Sequence, residues 1–277
     1  MFILKNIKFI SNMLYGVIYG DVAGSTYESK LCHNYKFITI PSKSSFTDDT
    51  VMTCAVAYWL MQDPSDIDLL IKEMQRWGSK YPNVSYGGKF REWLNSENPS
   101  AYYSFGNGSA MRVAPCGWFA DTLQEAEDLA KASASVTHNH PEGIKGAQAV
   151  AAAIFLARLG WDKVDIKDYL ITEYGYNLDR TIKEIIDSGY SFDVSCQGSV
   201  PEAIIAFLEG NSFEEVIRLA ILLGGDADTQ AAIAGSIAEA YYGVPEDCID
   251  EIKKYLTDDI IEVITNFKKF YNEKFPN

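Results

Sequence analysis

The chain has 277 residues, 47% of them hydrophobic and 22% charged, with 24 basic against 38 acidic side chains and a net charge of −14. That length admits one large domain or two ordinary ones, and that composition excludes disordered, collagen-like and coiled-coil chains. So acidic a chain, with no long basic stretch, is poorly equipped to neutralise a nucleic-acid duplex or an anionic membrane. A phosphorylated ligand would have to be met by metal ions or backbone N–H groups.

The opening MFILKNIKFISNML mixes lysines with apolar residues but has no long apolar core and no small-residue cleavage site, so it does not read as a secretion signal. Residues 35–40 give the best strand-like alternation in a sequence otherwise dominated by helical spacing. Apolar residues recur every three or four positions over 48–62, 67–80, 123–134, 142–159, 166–174, 202–209, 213–222, 229–242 and 247–275, the last expected to break near Asp258. Pro64, Pro141, Pro201 and Pro245 stand where helices are expected to begin, because a fixed φ and a missing N–H are tolerated there. The Ala- and Gly-rich stretches 146–157 and 231–240 predict central helices that neighbours approach closely. The longest wholly apolar run, 149–157, is far below the ~18 residues that suggest a membrane span. Cys32, Cys54, Cys116, Cys196 and Cys248 form no C-x-x-C pair and read as reduced, buried thiols. With no repeat or linker, the expectation is one all-α domain over 1–277, soluble and cytoplasmic.

Four polar islands interrupt this helical text. Phe46-Thr47-Asp48-Asp49-Thr50 precedes an apolar helix, and Gly224-Gly225-Asp226-Ala227-Asp228-Thr229 separates two. Either could be a helix cap, since Thr and Asp accept the first free N–H groups and suit the positive end of the dipole. Together they offer four carboxylates and hydroxyls besides, hard oxygen donors that suit Mg²⁺ or Mn²⁺ and, facing each other, a dinuclear site. An EF-hand would need acidic residues where Gln230-Ala231-Ala232 stands, and zinc is disfavoured with no Cys pair and only His33, His138 and His140. The third island, Tyr103-Ser104-Phe105-Gly106-Asn107-Gly108-Ser109-Ala110-Met111-Arg112, is either a turn or a phosphate cradle of open backbone N–H groups, and it lacks the G-K-[ST] of a P-loop. The fourth, Thr137-His138-Asn139-His140-Pro141-Glu142-Gly143, opens a long helix; histidines two apart do not share a face, and His138 is the one expected to face a site.

With these islands in order, preceded by Gly20-Asp21-Val22-Ala23-Gly24-Ser25-Thr26-Tyr27-Glu28, the sequence resembles the ADP-ribosylglycohydrolase family over about residues 14–243, leaving 244–277 as C-terminal helices. The resemblance implies an all-α bundle with a dinuclear cleft holding two Mg²⁺ or Mn²⁺. Thr47, Asp48, Asp49, Asp226, Asp228 and Thr229 would be the metal ligands. It implies that Glu28 takes part in catalysis with Asp48 and Asp228, and that Ser104, Phe105, Gly106, Asn107, Gly108 and Ser109 line the diphosphate and ribose with His138 nearby. Gly87 and Gly88, in Val84-Ser85-Tyr86-Gly87-Gly88, look like the Gly-rich segment beside the scissile ribose. The implied activity is hydrolysis of the glycosidic bond between ADP-ribose and an acceptor, a protein side chain or a small molecule, by a monomer. Two alternatives remain: an ADP-ribose-binding protein without turnover, and an all-α, Mg²⁺-dependent terpene-type diphosphate enzyme. The latter lacks here the third carboxylate of D-D-x-x-D. Trp77, Tyr81, Tyr86 and Trp93 either shape an acceptor or adenine pocket or pack in the core.

Overall fold

The computed structural model describes residues 12–28, 35, 37 and 39–276. Helix α1 (Tyr15–Gly24) is buried on all sides, and its glycines explain how. Gly16, Gly20 and Gly24 recur every fourth residue along one face, laid against the last of the long central helices. A Cβ on Gly20 would stand 2.0 Å from the Ala231 carbonyl oxygen, and one on Gly16 2.3 Å from that of Gly235. Only a bare backbone fits, and Gly235 reciprocates, its own Cβ position lying 2.4 Å from the Gly16 oxygen.

The chain continues through α2 (Asp48–Gln62), α3 (Ile67–Lys80), α4 (Gly88–Leu94), α5 (Ala114–Phe119), α6 (Leu123–Ser135), α7 (Pro141–Arg158) and α8 (Lys163–Tyr174). It ends with α9 (Ile182–Asp187), α10 (Cys196–Glu209), α11 (Phe213–Leu222), α12 (Ala227–Tyr242), α13 (Glu246–Ile252) and α14 (Asp258–Lys274). Helix α12 is the hub: α1, α7, α10 and α11 pack on it, while α2 carries α3 and α14, and α7 carries α5, α6 and α8. The Ala-rich faces of α7 and α12 are buried almost throughout, as small side chains that admit close neighbours require.

Most expected helices are present, with 48–62, 67–80 and 213–222 matching their observed ends. Three departures follow, the first two with a physical reason. Helix α1 gave no amphipathic stripe because it has no solvent face. Helix α10 begins at Cys196, capped by Ser195, so Pro201 lies inside it rather than at its start; it removes the N–H that would have met the Gln197 carbonyl, and the helix continues. The expected strand at 35–40 is not found: among the described residues the one β-bridge joins Gly106 to Ser195, while residues 36 and 38, like Cys32 and His33, lie outside them. As expected, the last periodic stretch breaks beside Asp258, at Leu256-Thr257, between a 3-10 turn (Lys253–Tyr255) and α14.

A carboxylate fastens the start of α1. Glu239 of α12 is fully buried, and its Oε1 accepts the Tyr15 N–H at 3.0 Å, with the N–H groups of Leu14 and Gly16 also facing it. Burial outweighs these donors and pushes the carboxyl from its usual 4.5 up to about 8. Between those values the folded chain keeps a proton that the unfolded chain has released. Its contribution to stability is therefore whole below the unfolded pKa and is lost as pH rises toward 8, by at most about 1.4 kcal/mol per pH unit. Glu239→Gln is expected to flatten that part of the profile, so that the variant gains on the wild type in urea unfolding midpoint between pH 5 and pH 8.5. A constant difference across that range would contradict the assignment.

Candidate active site

Asp21 is the one charged residue in α1, and nothing of it reaches solvent. Its carboxylate caps the neighbouring helix: Oδ2 accepts the N–H groups of Thr47 at 2.9 Å and Thr50 at 3.1 Å and the Thr50 hydroxyl at 2.6 Å, and Oδ1 accepts the Thr47 hydroxyl at 2.7 Å. Helix α2 has no cap from its own Thr47, so Asp21 satisfies its first free donors from outside. That grip fixes Asp48 and Asp49 in the first turn of α2, where the dipole favours negative charge.

The second acidic pair is aimed from the opposite side. Gly224 and Gly225 take φ of +75° and +78°, a left-handed course that only glycine adopts easily, and turn the chain from α11 into α12. Asp226 and Asp228 then fall at the start of α12, and the Asp228 carboxylate accepts the Thr229 N–H at 2.9 Å. Asn107 reaches across to donate to Asp226 at 2.6 Å and to Ser199 at 3.1 Å.

Folding thus brings the two clusters face to face. Oxygens of Asp21, Asp49 and Asp228 lie within 4.8 Å of one another, as do those of Glu28, Asp226 and Asp228, so Asp228 belongs to both groups. The Thr47 and Thr229 hydroxyls flank Asp49 Oδ2 at 3.3 and 3.4 Å. Burial holds the Asp48, Asp49 and Asp228 carboxyls well above the usual carboxylate range, with the charge of Asp21 adding to the first two and that of Asp226 to the third. Asp21 and Asp226 are also raised by burial, against hydrogen bonds that pull them down, and half-buried Glu28 is raised by burial and then by Asp226 and Asp21. Among the described residues none of these six carboxyls pairs with Lys or Arg.

Such a donor set fits a hard divalent cation: all ligating atoms are oxygens, and Asp49 Oδ1 is buried with no hydrogen-bond partner. Neither group contains Cys or His, which argues against zinc.

The carboxylates floor a cavity of about 380 Å³ walled by Glu28, Asp48, Ser85, Gly87, Gly88, Phe90, Ser104, Gly106, Asn107, Gly108 and His138. Gly87 and Gly88 have open space where a Cβ would stand. Two expected lining residues point elsewhere. Ser109 is fully buried and donates to the Gly143 carbonyl at 2.7 Å, bracing the 3-10 turn (Asn107–Ser109) against α7; Phe105 lies on the outside, half exposed, with its ring 5.3 Å from that of His140. The expected cradle of open backbone N–H groups is absent at Gly106, which donates to Ser104 Oγ, and at Asn107, which donates to the Val194 carbonyl. Of the two histidines, His138 lines the cavity while His140 caps α7 through Nδ1. Trp77, Tyr86 and Trp93 are buried in the core and Tyr81 is partly buried against it, hydrogen-bonded to Asp259; none of the four lines the cleft.

The sequence profile of the ADP-ribosylglycohydrolases matches residues 8–274. The chain belongs to the ADP-ribosylglycohydrolase family. It is similar to the ADP-ribosylhydrolase ARH3 of Mus musculus, at 27% identity over 336 aligned residues that cover 93% of this chain and 90% of that protein. It is also similar to the ADP-ribosylarginine hydrolase Tri1 of Pseudomonas putida (strain GB-1), at 29% identity over 238 residues that cover 75% of this chain and 62% of that one. A solved structure described as an ADP-ribosylglycohydrolase-related protein complex superposes with a TM-score of 0.71 at 25% identity, covering 94% of this chain and 95% of its own.

In this member of the family, sequence reasoning gave no role to two residues that organise the site. Asp21 stood inside the first motif, and the signal was available: a lone carboxylate in an otherwise apolar helix has to be paired or hydrogen-bonded. Thr137 carried no such signal: His138 adjoins it in the chain, but Arg112 is brought to it only by the fold.

Proposed function

We propose that this ADP-ribosylglycohydrolase is a divalent-cation-dependent hydrolase that releases ADP-ribose from an acceptor such as an arginine or serine side chain or a small molecule. The observation that supports this reading is the sharing of Asp228 between two carboxylate groups at the floor of a cleft beside the Gly106-Asn107-Gly108 turn. Asp48, Asp49, Asp226 and Asp228, with the Thr47 and Thr229 hydroxyls, would hold a pair of Mg²⁺ or Mn²⁺ ions, and Asp21 would fix the α2 side of the site from behind. Bound there, such ions supply electrophilic contacts for ribose hydroxyls and a water that loses its proton more easily.

The chain's own residues do the rest. Cleavage at the anomeric carbon of the distal ribose passes through an oxocarbenium-like transition state and requires a proton transfer. Glu28, beside Asp226 and Asp228 in the cavity lining, would make that transfer. The open backbone at Gly87 and Gly88 leaves room for the sugar, and Ser104 and His138 offer polar contacts in the same cavity. Four buried free thiols, Cys54, Cys116, Cys196 and Cys248, support a reducing cytoplasmic setting, and we propose a monomer there. No helix of the described residues is long and apolar enough to cross a membrane.

The test is a hydrolysis panel on arginine-, serine- and nucleotide-linked ADP-ribose and O-acetyl-ADP-ribose, with Mg²⁺, Mn²⁺ or a chelator. Release from at least one substrate, abolished by chelation, is expected; binding of ADP-ribose without release from any would make the protein a binder instead. Glu28→Gln is expected to bind ADP-ribose normally and to lose roughly 10²- to 10⁴-fold in kcat. An unchanged kcat would remove Glu28 from the mechanism.

A further inference from the structure

His138 lies just after α6, nearly buried, with Nε2 turned toward the turn that walls the cleft: a Cβ on Gly106 or Gly108 would stand 3.5 or 3.3 Å from it. Its other ring nitrogen, Nδ1, lies 2.6 Å from Thr137 Oγ1. One proton sits between those two atoms, and its owner decides whether Nε2 donates or accepts. Arg112, which can only donate, places Nη2 2.9 Å from the same Oγ1 and 2.7 Å from the Ser133 carbonyl, so one lone pair of Thr137 is taken.

The Thr137 proton then has two destinations. The Ala134 carbonyl oxygen is 3.5 Å away and already accepts the N–H groups of Thr137 at 3.1 Å and His138 at 2.7 Å. His138 Nδ1 is close and otherwise unserved, so the hydroxyl donates to it and the ring proton belongs on Nε2. Burial and then the nearby Arg112 charge hold the ring well below its usual pKa, so it does not carry a second proton at neutral pH.

We propose that Thr137, anchored by Arg112, is a positioning residue that locks His138 in the Nε2–H form, so that the ring gives the ligand one directed, uncharged hydrogen bond over the Gly106-Asn107-Gly108 turn. Resting on the functional reading above, the acceptor is a diphosphate oxygen of ADP-ribose. The relay fills a gap in the wall: Gly106 and Asn107 donate their backbone N–H groups internally, so the imidazole supplies a donor that the turn withholds.

Imidazole nitrogen NMR of the ligand-free, ¹⁵N-labelled protein reads the tautomer directly, with His138 assigned against a His138→Gln variant. The wild type is expected to show His138 protonated on Nε2. Thr137→Val keeps the side-chain shape without the hydroxyl and is expected to populate the Nδ1–H form and weaken ADP-ribose binding by roughly tenfold or more, the range for one hydrogen bond to a charged group. Thr137→Ser is expected to restore both tautomer and affinity. A wild-type His138 protonated on Nδ1, or a Thr137→Val variant that keeps both the Nε2–H signature and full affinity, overturns the proposal. If the valine variant fails to fold, the wild-type spectrum and the serine variant decide. A wild type that binds no ADP-ribose would defeat the functional reading alone, because the ligand-free tautomer still judges the relay.

Discussion

Asp228→Asn is expected to lower kcat by at least about a thousandfold, or some 4 kcal/mol of transition-state stabilisation, while the fold survives. The side chain belongs to both carboxylate groups, so its loss weakens two sites at once. Asn is nearly isosteric, can still accept the Thr229 N–H and can still donate to Asp226, with which the Asp228 carboxyl shares a hydrogen bond. Burial beside Asp226 makes the Asp228 charge unfavourable without a cation, so the metal-free variant is expected to unfold at a higher urea concentration than the metal-free wild type near pH 8. Addition of Mg²⁺ or Mn²⁺ should reverse the order, since a ligand at a hundred times its dissociation constant stabilises the wild type by about 2.7 kcal/mol and the variant by much less. A kcat within tenfold of the wild type, or equal stabilisation of both proteins by metal, would remove Asp228 from the centre of the site.

Gly20→Val is expected to destabilise the protein by more than about 3 kcal/mol and to abolish activity in whatever fraction stays folded. The new Cβ would meet the Ala231 carbonyl oxygen at 2.0 Å, its carbon at 2.3 Å and the Ala232 nitrogen at 2.5 Å. These are backbone atoms of a buried helix and cannot step aside, so α1 must lift off α12. Asp21 would move with it, and the start of α2 would lose four hydrogen bonds along with the placement of Asp49. Gly87→Ala is the control for stability, because its Cβ would meet nothing within 4 Å. Equal urea midpoints for the two variants would show that the glycines of α1 do not set the helix spacing.

Legibility in the sequence followed the physics of exposure. Helices with a wet face, such as α3 and α11, announced themselves through periodicity and matched to the residue. Helix α1, buried all round, did not, although it carries the residue that ties the site together. Motif residues that act through their own chemistry, Asp49, Asp226 and Asp228 above all, could be picked out as candidate ligands because carboxylates in such density are costly without a purpose. Residues that act by holding others were hidden. Asn107 lines the cavity as expected, but only the fold shows that its amide N–H groups also grip Asp226 and Ser199. Ser109, expected to line it too, braces a turn instead. Pairings between segments a hundred residues apart leave no local trace, which is why the spacing of the motifs revealed the cast and the fold was needed to assign the parts.

The hydrogen bonding of Asp21 also couples the order of the site to the docking of two helices. Its Oδ2 accepts three donors and its Oδ1 a fourth, all of them from Thr47 and Thr50 at the start of α2. Four bonds to one fully buried carboxylate leave the first turn of α2, with Asp48 and Asp49 in it, little freedom to shift against α1. Seating of α1 on its neighbours and registration of those acidic side chains are thus one event rather than two.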